Sequence, residues 1–300
     1  MHELEYALTT PISHRKDCAQ FFTPPSVAYL MAKWILKDDP KSILDPAFGL
    51  GIFYDAIHQI NPNNNSQFTG YELDQHILTY LNFHPNKNNL QLINKDYLEA
   101  DLTAYDAIIC NPPYMRFQKF LTRHDVLPKI EKQLGKNLVG YSNIASVFLV
   151  KSLNELKPNG RLAFIMPFEF FNTGYGKEIK KSLLDNGLLK QIVIFSNEKE
   201  IFPDATTTVC VLLCKNDRKT ESIKIAEISS KEEIDRLSDF SNLDRFKIAP
   251  SDLPYNQKWT PIILSLFSKR QVPSGLVNFS LYGTFKRGIA TGANEFFALS

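Results

Sequence analysis

The strongest constraint on this chain is a repeated pattern: short apolar strands that stop on a polar side chain, separated by amphipathic helices. "SILD" ends at Asp45, "QFTGYELD" carries Glu72 at its end, "NLQLINKD" closes on Asp96 and "YDAIICN" on Asn111. Between them, "GIFYDAIHQI" and "QHILTYL" place apolar residues at helical spacing. Strands alternating with helices predict a mostly parallel, doubly wound α/β sheet with helices on both faces. Further on, "SNIASVFLVKSLNELKPNG" predicts a helix stopped by its Pro-Asn-Gly, "RLAFIMP" a strand and "GYGKEIKKSLLDNG" an amphipathic helix. "LKQIVIF" and "TTTVCVLLCK" predict two last strands, which brings the sheet to seven; after Lys215 the pattern loosens, and "ESIKIAEISSKEEIDRLSDFSNL" offers a further strand and a polar helix. Sheets of this type bind ligands at the carboxyl ends of their strands. Asp45, Glu72, Asp96 and Asn111 therefore share one rim.

"LDPAFGLG" joins the first strand to its helix. Gly49 and Gly51 let the backbone turn sharply and approach a ligand with no Cβ in the way. A glycine pair alone serves a plain strand–helix turn equally well. Glu72 adds to it, because an acid ending the second strand, about 20 residues past the loop, is placed to accept from ribose hydroxyls. The third glycine of the dinucleotide fingerprint is missing, so nothing asks for a pyrophosphate. Asp96 can accept from an exocyclic adenine amine, with Tyr97 packed on one face of the ring and Leu73 on the other. Asp45 can face a cationic amino-acid tail, directly or through water. Each acid alone is more commonly a solvated strand end. The set, in this order on successive strands, points to a nucleoside with a short cationic tail, and S-adenosylmethionine has that composition.

The strand that ends in "NPPY" brings a different chemistry. Asn111 offers a side-chain carbonyl, and Pro112 a backbone carbonyl on a turn whose φ is fixed. Two acceptors on a rigid turn can hold both hydrogens of one NH₂ group. That favours a more tetrahedral nitrogen, whose lone pair is then free to attack a methyl group. Tyr114 supplies a flat face for a planar substrate.

With these residues in place, "QFFTPP", "DPAFGLG", "GYELD", "KDYL" and "NPPY" together resemble the gamma-class N6-adenine DNA methyltransferases of restriction–modification systems. The resemblance covers roughly residues 15 to 215 in the family's motif order. It implies a Rossmann-like S-adenosylmethionine-dependent methyltransferase fold and methyl transfer to N6 of an adenine flipped out of double-stranded DNA. It assigns catalysis to Asn111, Pro112, Pro113 and Tyr114, and cofactor binding to Phe22, Thr23, Asp45, Ala47, Gly49, Gly51, Glu72, Leu73, Asp96, Tyr97 and Asn111. Phe202, in "IFPDATTTVCVLL", matches the aromatic that holds the extruded base against the Asn-Pro-Pro-Tyr ring. Two loop positions depart from the family's common D-P-A-C-G-S-G: Phe48 and Leu50 stand where cysteine and serine are usual. Thr23 is also a credible helix N-cap with Pro24 at the first helical position, and Phe21 and Phe22 either touch the cofactor or fill core. Lysines of "TGYGKEIKKSLL" either meet DNA phosphates or face solvent.

The balance of 44% hydrophobic and 22% charged residues with a net charge of +2 suits a globular chain and neither demands nor excludes nucleic acid. Cys18, Cys110, Cys210 and Cys214 show no metal-ligand spacing, so no metal is expected. No signal peptide and no apolar run of about 18 residues is present, so the expectation is a cytoplasmic monomer without a membrane partner. Residues 1–245 read as the catalytic domain and 246–300 as a linker and the start of a target-recognition region. "RGIATGANEFF" resembles the lead into that region, which the chain itself or a partner subunit would complete. Asn-Pro-Pro-Tyr occurs in protein-glutamine methyltransferases too. A glutamine or RNA adenine substrate, or a non-catalytic DNA- or cofactor-binding part of a restriction complex, therefore stays open; "FFTPP" favours DNA.

Overall fold

The computed structural model describes residues 2–17, 20–81, 89–114, 123–135, 143–173, 176–203, 207–243 and 246–267, with 277 and 281–284 beyond them. Cys18 and the segment 287–297 that resembles the lead into a recognition region lie outside the described residues. The chain divides into two units, Met1–Leu266 and Phe267–Ser300.

The first unit is built on one sheet. Its strands are β1 (Ser42–Asp45), β2 (Gln67–Tyr71), β3 (Leu90–Ile93), β4 (Tyr105–Cys110), β5 (Leu156–Pro167), β6 (Leu189–Phe195), β7 (Val209–Lys215), β8 (Ile223–Ile228) and β9 (Phe246–Ile248). They lie in the order β3-β2-β1-β4-β5-β7-β6-β8-β9. β3, β2, β1, β4 and β5 are mutually parallel, as the strand–helix alternation predicts. β7 runs antiparallel between β5 and β6. The sheet thus has nine strands rather than the expected seven. β8 joins β6 in parallel and β9 closes the edge antiparallel to β8. After Lys215 the alternation loosens: the strand expected in "ESIKIAEIS" is β8, here joined to the same sheet, and the polar helix after it is Lys231–Asp235, whereas nothing in the pattern marks β9.

Sequence order reverses between β1 and β4, which are neighbours in the sheet. That is the topological switch point, where the crossovers part to opposite faces and leave a crevice at the carboxyl ends. Asp45 ends one of the two strands and Asn111 follows the other.

Alternate residues of the strands, among them Ile43, Phe68, Ala107, Ile109, Ile165 and Val193, form one continuous core. The helices Pro25–Ile35 and Ile52–Ile60 pack onto it through Leu30, Met31, Phe53 and Ile57. Each such side chain contributes roughly 1.5–3 kcal/mol when fully buried, so this face anchors the rim firmly. The intervening strand residues, such as Leu44, Ile108 and Cys110, are buried as well, and the helix Ile144–Asn154 packs against β5 with Ile144 through Leu153 buried. This helix stops at Asn154, and the Lys157–Gly160 stretch expected to terminate it belongs to β5. Asn159 takes φ +64°, and the β4–β5 register shifts beside it.

The N-terminal part of the Pro25–Ile35 helix also differs from expectation. Pro24 is the N-cap residue and Pro25 the first helical residue, with no side-chain cap. Thr23 stands one residue too early to cap, and its hydroxyl serves Asn111 instead. Beyond residue 245, β9 and the buried Leu253 and Trp259 belong to the first unit, with Trp259 stacked on Phe171 at 5.1 Å. The part of the expected linker up to Leu266 is therefore packed chain. Among the described residues no helix is long and apolar enough to cross a membrane.

Candidate active site

Asn111 is held at both ends of its amide. Nδ2 donates to the Phe21 carbonyl at 2.8 Å and to Thr23 Oγ1 at 3.0 Å, while Oδ1 accepts from the Tyr114 hydroxyl at 2.8 Å. A carbonyl cannot donate, so the nitrogen must face Phe21 and the oxygen must face away from it. Oδ1 keeps a second lone pair for another donor. Pro112 is buried, Pro113 and Tyr114 are partly buried, and the Tyr114 ring lies 5.7 Å from that of Phe21. Burial pushes the Tyr114 hydroxyl well above its ordinary pKa, so it remains a donor.

The glycine loop follows β1. Gly49 and Gly51 both take positive φ, +54° and +79°, and Gly51 is the N-cap of the Ile52–Ile60 helix. A Cβ on Gly49 would point into open space, so that face of the loop is bare. Phe48 takes the opposite course from its expected bulk in the loop. It is buried, and its ring packs 6.0 Å from Phe68 above Gly70 of β2. The larger residue is thus spent in the core.

The three acids occupy the rim in different ways. Asp45 is fully buried; Oδ1 accepts from the Ala47 amide at 3.1 Å and Oδ2 has no hydrogen-bond partner among the described residues. Burial drives its pKa well up, against the Ala47 hydrogen bond and with some help from Glu72. Glu72 accepts from the amides of Gly49 and Asp74, each at 2.8 Å, and so ties the glycine loop to the end of β2. Burial raises its pKa too. Asp96 caps the short 3-10 turn Tyr97–Glu99 by accepting from the Leu98 amide at 2.8 Å, and burial raises it likewise. Leu73 is 63% exposed.

Tyr97 does not stand where the sequence reading put it. Only 2% exposed, it donates its hydroxyl to Glu155 and lies within reach of Ser152 Oγ at 3.2 Å. Lys151, itself buried, caps the ring at 4.5 Å and donates to the Tyr97 and Ala100 carbonyls. Buried polar partners on the Ile144–Asn154 helix and at its end hold the ring inward, beside the turn that Asp96 caps.

Two cavities meet at Asn111. One, of about 170 Å³, is lined by Thr23, Ala47, Gly49 and Leu50 among others. The second, of about 290 Å³, is lined by Tyr114, Ile165, Phe170, Phe202 and Val209 among others. Phe21, Phe22 and Asn111 belong to both. Phe202 is 5% exposed and steadied by Phe195 at 5.2 Å. It reaches this rim because β7 is reversed: Val209 pairs with both Pro167 and Phe195, at the carboxyl ends of β5 and β6. Asp45, Gly51, Glu72, Leu73, Asp96 and Tyr97 line neither cavity.

Residues 4–258 match the sequence model of a family described as N-6 DNA Methylase. The chain belongs to this family. It is 36% identical over 307 residues to the type II methyltransferase M.AccI of Acinetobacter calcoaceticus, a match covering 99% of this chain and 56% of that one. It is 31% identical over 243 residues to the type II methyltransferase M.HincII of Haemophilus influenzae, covering 78% and 45%. The chain therefore spans about half the length of these relatives. Among solved structures, the type I restriction–modification methyltransferase subunit from Streptococcus thermophilus superposes with a TM-score of 0.63 at 18% identity, over 85% of this chain and 65% of that one. A likeness at that identity speaks for the fold, which is that of the S-adenosylmethionine-dependent methyltransferases.

Set beside the N-6 DNA methylase motifs, several residues went unassigned in the sequence. Asp74 accepts from His14 and Gln20 at 2.8 Å each, and from Tyr6 at 3.5 Å, and so ties the N-terminal segment to the end of β2. It was in view as the last letter of "GYELD", but its partners lie up to 68 residues upstream with no local signal. Asn143, Glu169 and Thr173 line the larger cavity and were likewise missed. Of the lysines on the helix Gly176–Asp185, Lys180 is buried, donating to the Phe171 and Gln257 carbonyls, and is not available to a phosphate; Lys177 and Lys181 are exposed.

Proposed function

We propose that this chain transfers a methyl group from S-adenosylmethionine to N6 of an adenine flipped out of double-stranded DNA, as the modification enzyme of a restriction–modification system. The observation that carries the reading is Asn111: one acceptor, fixed in orientation, on the boundary of two cavities. The residues fit the cofactor. The bare Gly49 face leaves room for it, and Asp45, although it lines neither cavity, keeps Oδ2 without a partner among the described residues and would suit a cationic ligand once ionised. Phe22, Thr23, Ala47 and Gly49 would hold its amino-acid end, and Glu72, Leu73 and Asp96 its nucleoside. When bound, it supplies an electrophilic methyl group.

The larger cavity would receive the base. Extrusion costs a few kcal/mol, and stacking between Tyr114 and Phe202 offsets ~1–3 kcal/mol of that. Asn111 Oδ1 and the Pro112 carbonyl would accept hydrogen bonds from the two N6 hydrogens and so leave the nitrogen lone pair free for the cofactor's methyl group, with the neutral thioether as the leaving group; the methylated, cationic amine would lose one proton to water. Catalysis is then mostly positioning in a site shielded from water. Residues 1–245 supply this chemistry, and residues 246–300 lead toward target recognition, which this chain or a partner subunit would complete. The enzyme works as a cytoplasmic monomer.

The test is Asn111→Ala with radiolabelled cofactor, duplex DNA and nucleoside analysis. Wild-type protein should form N6-methyladenine and the variant should not. Methylation of RNA or of protein glutamine in place of DNA would redirect the assignment, and unimpaired transfer by the variant would overturn it.

A further inference from the structure

We propose that Thr23 is a positioning residue for methyl transfer: its hydroxyl, with the Phe21 carbonyl, sets the Asn111 amide so that an acceptor and not a donor meets the target amine. The inference rests on the functional reading above, and it assigns the N-terminal segment a part in the chemical step as well as in cofactor binding.

The argument begins with what an asparagine cannot do alone. Its amide has two ends of nearly equal size and opposite hydrogen-bonding sense, and rotation about the last side-chain bond exchanges them. An NH₂ substrate needs the oxygen end. With the nitrogen end turned toward it, donor would face donor and the lone pair would gain nothing. The strand and the Pro-Pro turn fix where Asn111 stands, but they do not choose which end faces the substrate. That choice is made by partners. Phe21 O and Thr23 Oγ1 take both nitrogen hydrogens, at 2.8 and 3.0 Å. Tyr114 donates to the oxygen, but its hydroxyl can equally accept, so it supports either orientation. The choice of end therefore lies with the Phe21 carbonyl, which can only accept; the Thr23 hydroxyl, able like that of Tyr114 to act in either sense, takes the second nitrogen hydrogen and holds the amide in the orientation Phe21 selects.

Thr23 is well suited to this. It is 3% exposed, so water does not substitute easily for its hydroxyl. The next two residues, Pro24 and Pro25, start the Pro25–Ile35 helix, whose buried face is anchored in the core. A hydroxyl that accepts from Asn111 can still donate its own hydrogen, and Thr23 also lines the smaller cavity. One side chain thus touches both the cofactor space and the acceptor.

The two roles separate kinetically. A residue that only binds cofactor alters KM for it; one that orients the acceptor alters kcat, measured at saturating cofactor and DNA. Thr23→Val keeps shape and removes the hydroxyl, whereas Thr23→Ser keeps the hydroxyl. We expect Thr23→Val to lower single-turnover kcat by about 10- to 30-fold, the loss of one well-placed hydrogen bond. Thr23→Ser should recover it to within about threefold. The side-chain amide of Asn111, followed by NMR in asparagine-labelled free protein, should move in Thr23→Val and return in Thr23→Ser. Its signal is identified by loss in Asn111→Ala. A valine variant with wild-type kcat, a loss confined to KM, or a serine variant no better than valine would overturn the proposal. So would an Asn111 amide signal identical in wild type and valine variant. If wild-type protein methylates no DNA, the functional reading fails by itself, and the amide signals still decide whether Thr23 holds Asn111. A cooperative melt for each variant separates a positioning defect from unfolding: if valine unfolds the chain, the wild-type/serine comparison decides, the proposal requiring matching amide signals and kcat.

Discussion

Phe48 fills the space that a side chain on Gly70 would need: a Cβ built on Gly70 would lie 2.4 Å from Phe48 Cδ2. The two positions must change together. Gly70→Ala alone should overpack the underside of the glycine loop and cost about 1–3 kcal/mol. Phe48→Cys alone should leave a cavity and cost about 3 kcal/mol. The double variant should be markedly less destabilised than their sum, which urea unfolding of the four proteins would show. Simple additivity would mean that the ring and the glycine are independent.

The aromatic pair in the larger cavity makes a second prediction. Tyr114→Ala and Phe202→Ala should each weaken retention of an extruded base by ~1–3 kcal/mol. Duplex DNA with 2-aminopurine at the target position reports this directly. Wild-type protein should quench the extruded base by stacking, and each variant should leave it brighter.

Cofactor binding should depend on pH. Burial raises the pKa of Asp45, Glu72 and Asp96 above the ordinary carboxyl range. A cationic ligand favours their ionised forms, so binding should release protons and tighten as pH rises through the raised values. The steepest change should approach tenfold per pH unit for each proton released. Calorimetry in buffers of different ionisation enthalpy counts those protons, and Asp45→Asn should reduce the count. The fold itself responds with opposite sign. These folded-state values lie above the unfolded ones, so their contribution to stability is complete below the unfolded pKa and is lost as pH rises through the folded values.

Asp74 should act as the fastening for the N-terminal segment. Despite burial, which pushes its pKa up, hydrogen bonds from His14 and Gln20 hold it below the ordinary range. Asp74→Ala should release residues 2–20, cost about 1.5–3 kcal/mol and expose the segment to limited proteolysis. Cofactor affinity should fall with it, since Phe22 and Thr23 follow directly.

The parts of this molecule legible in sequence are those written at short range. Seven strands and the rim formed by Asp45, Glu72, Asp96 and Asn111 follow from periodicity and from one polar residue per strand end. What escaped is written at long range. Thr23 looked like a helix cap until a partner 88 residues away took its hydroxyl. Tyr97 looked like a ligand contact because it follows Asp96, yet Glu155, 58 residues on, draws its hydroxyl inward. β8 was legible as a strand in "ESIKIAEIS", but its place beside β6, and β9 altogether, escaped, because an edge extended after the alternation ends is decided by which strand has an open side, which no local pattern reports.

The reversed β7 has a consequence for how such a chain can diversify. A crossover between parallel strands must carry the chain back along their length to the opposite end of the sheet, usually through a helix. The β6–β7 connection leaves and returns on the same rim, with both its ends held by Pro167 and Phe195 opposite Val209. Residues can be added to or removed from it without rethreading a helix or shifting a register. The wall that carries Phe202 is therefore the part of the larger cavity most free to be exchanged, while the wall that carries Asn111 is bound to the frame.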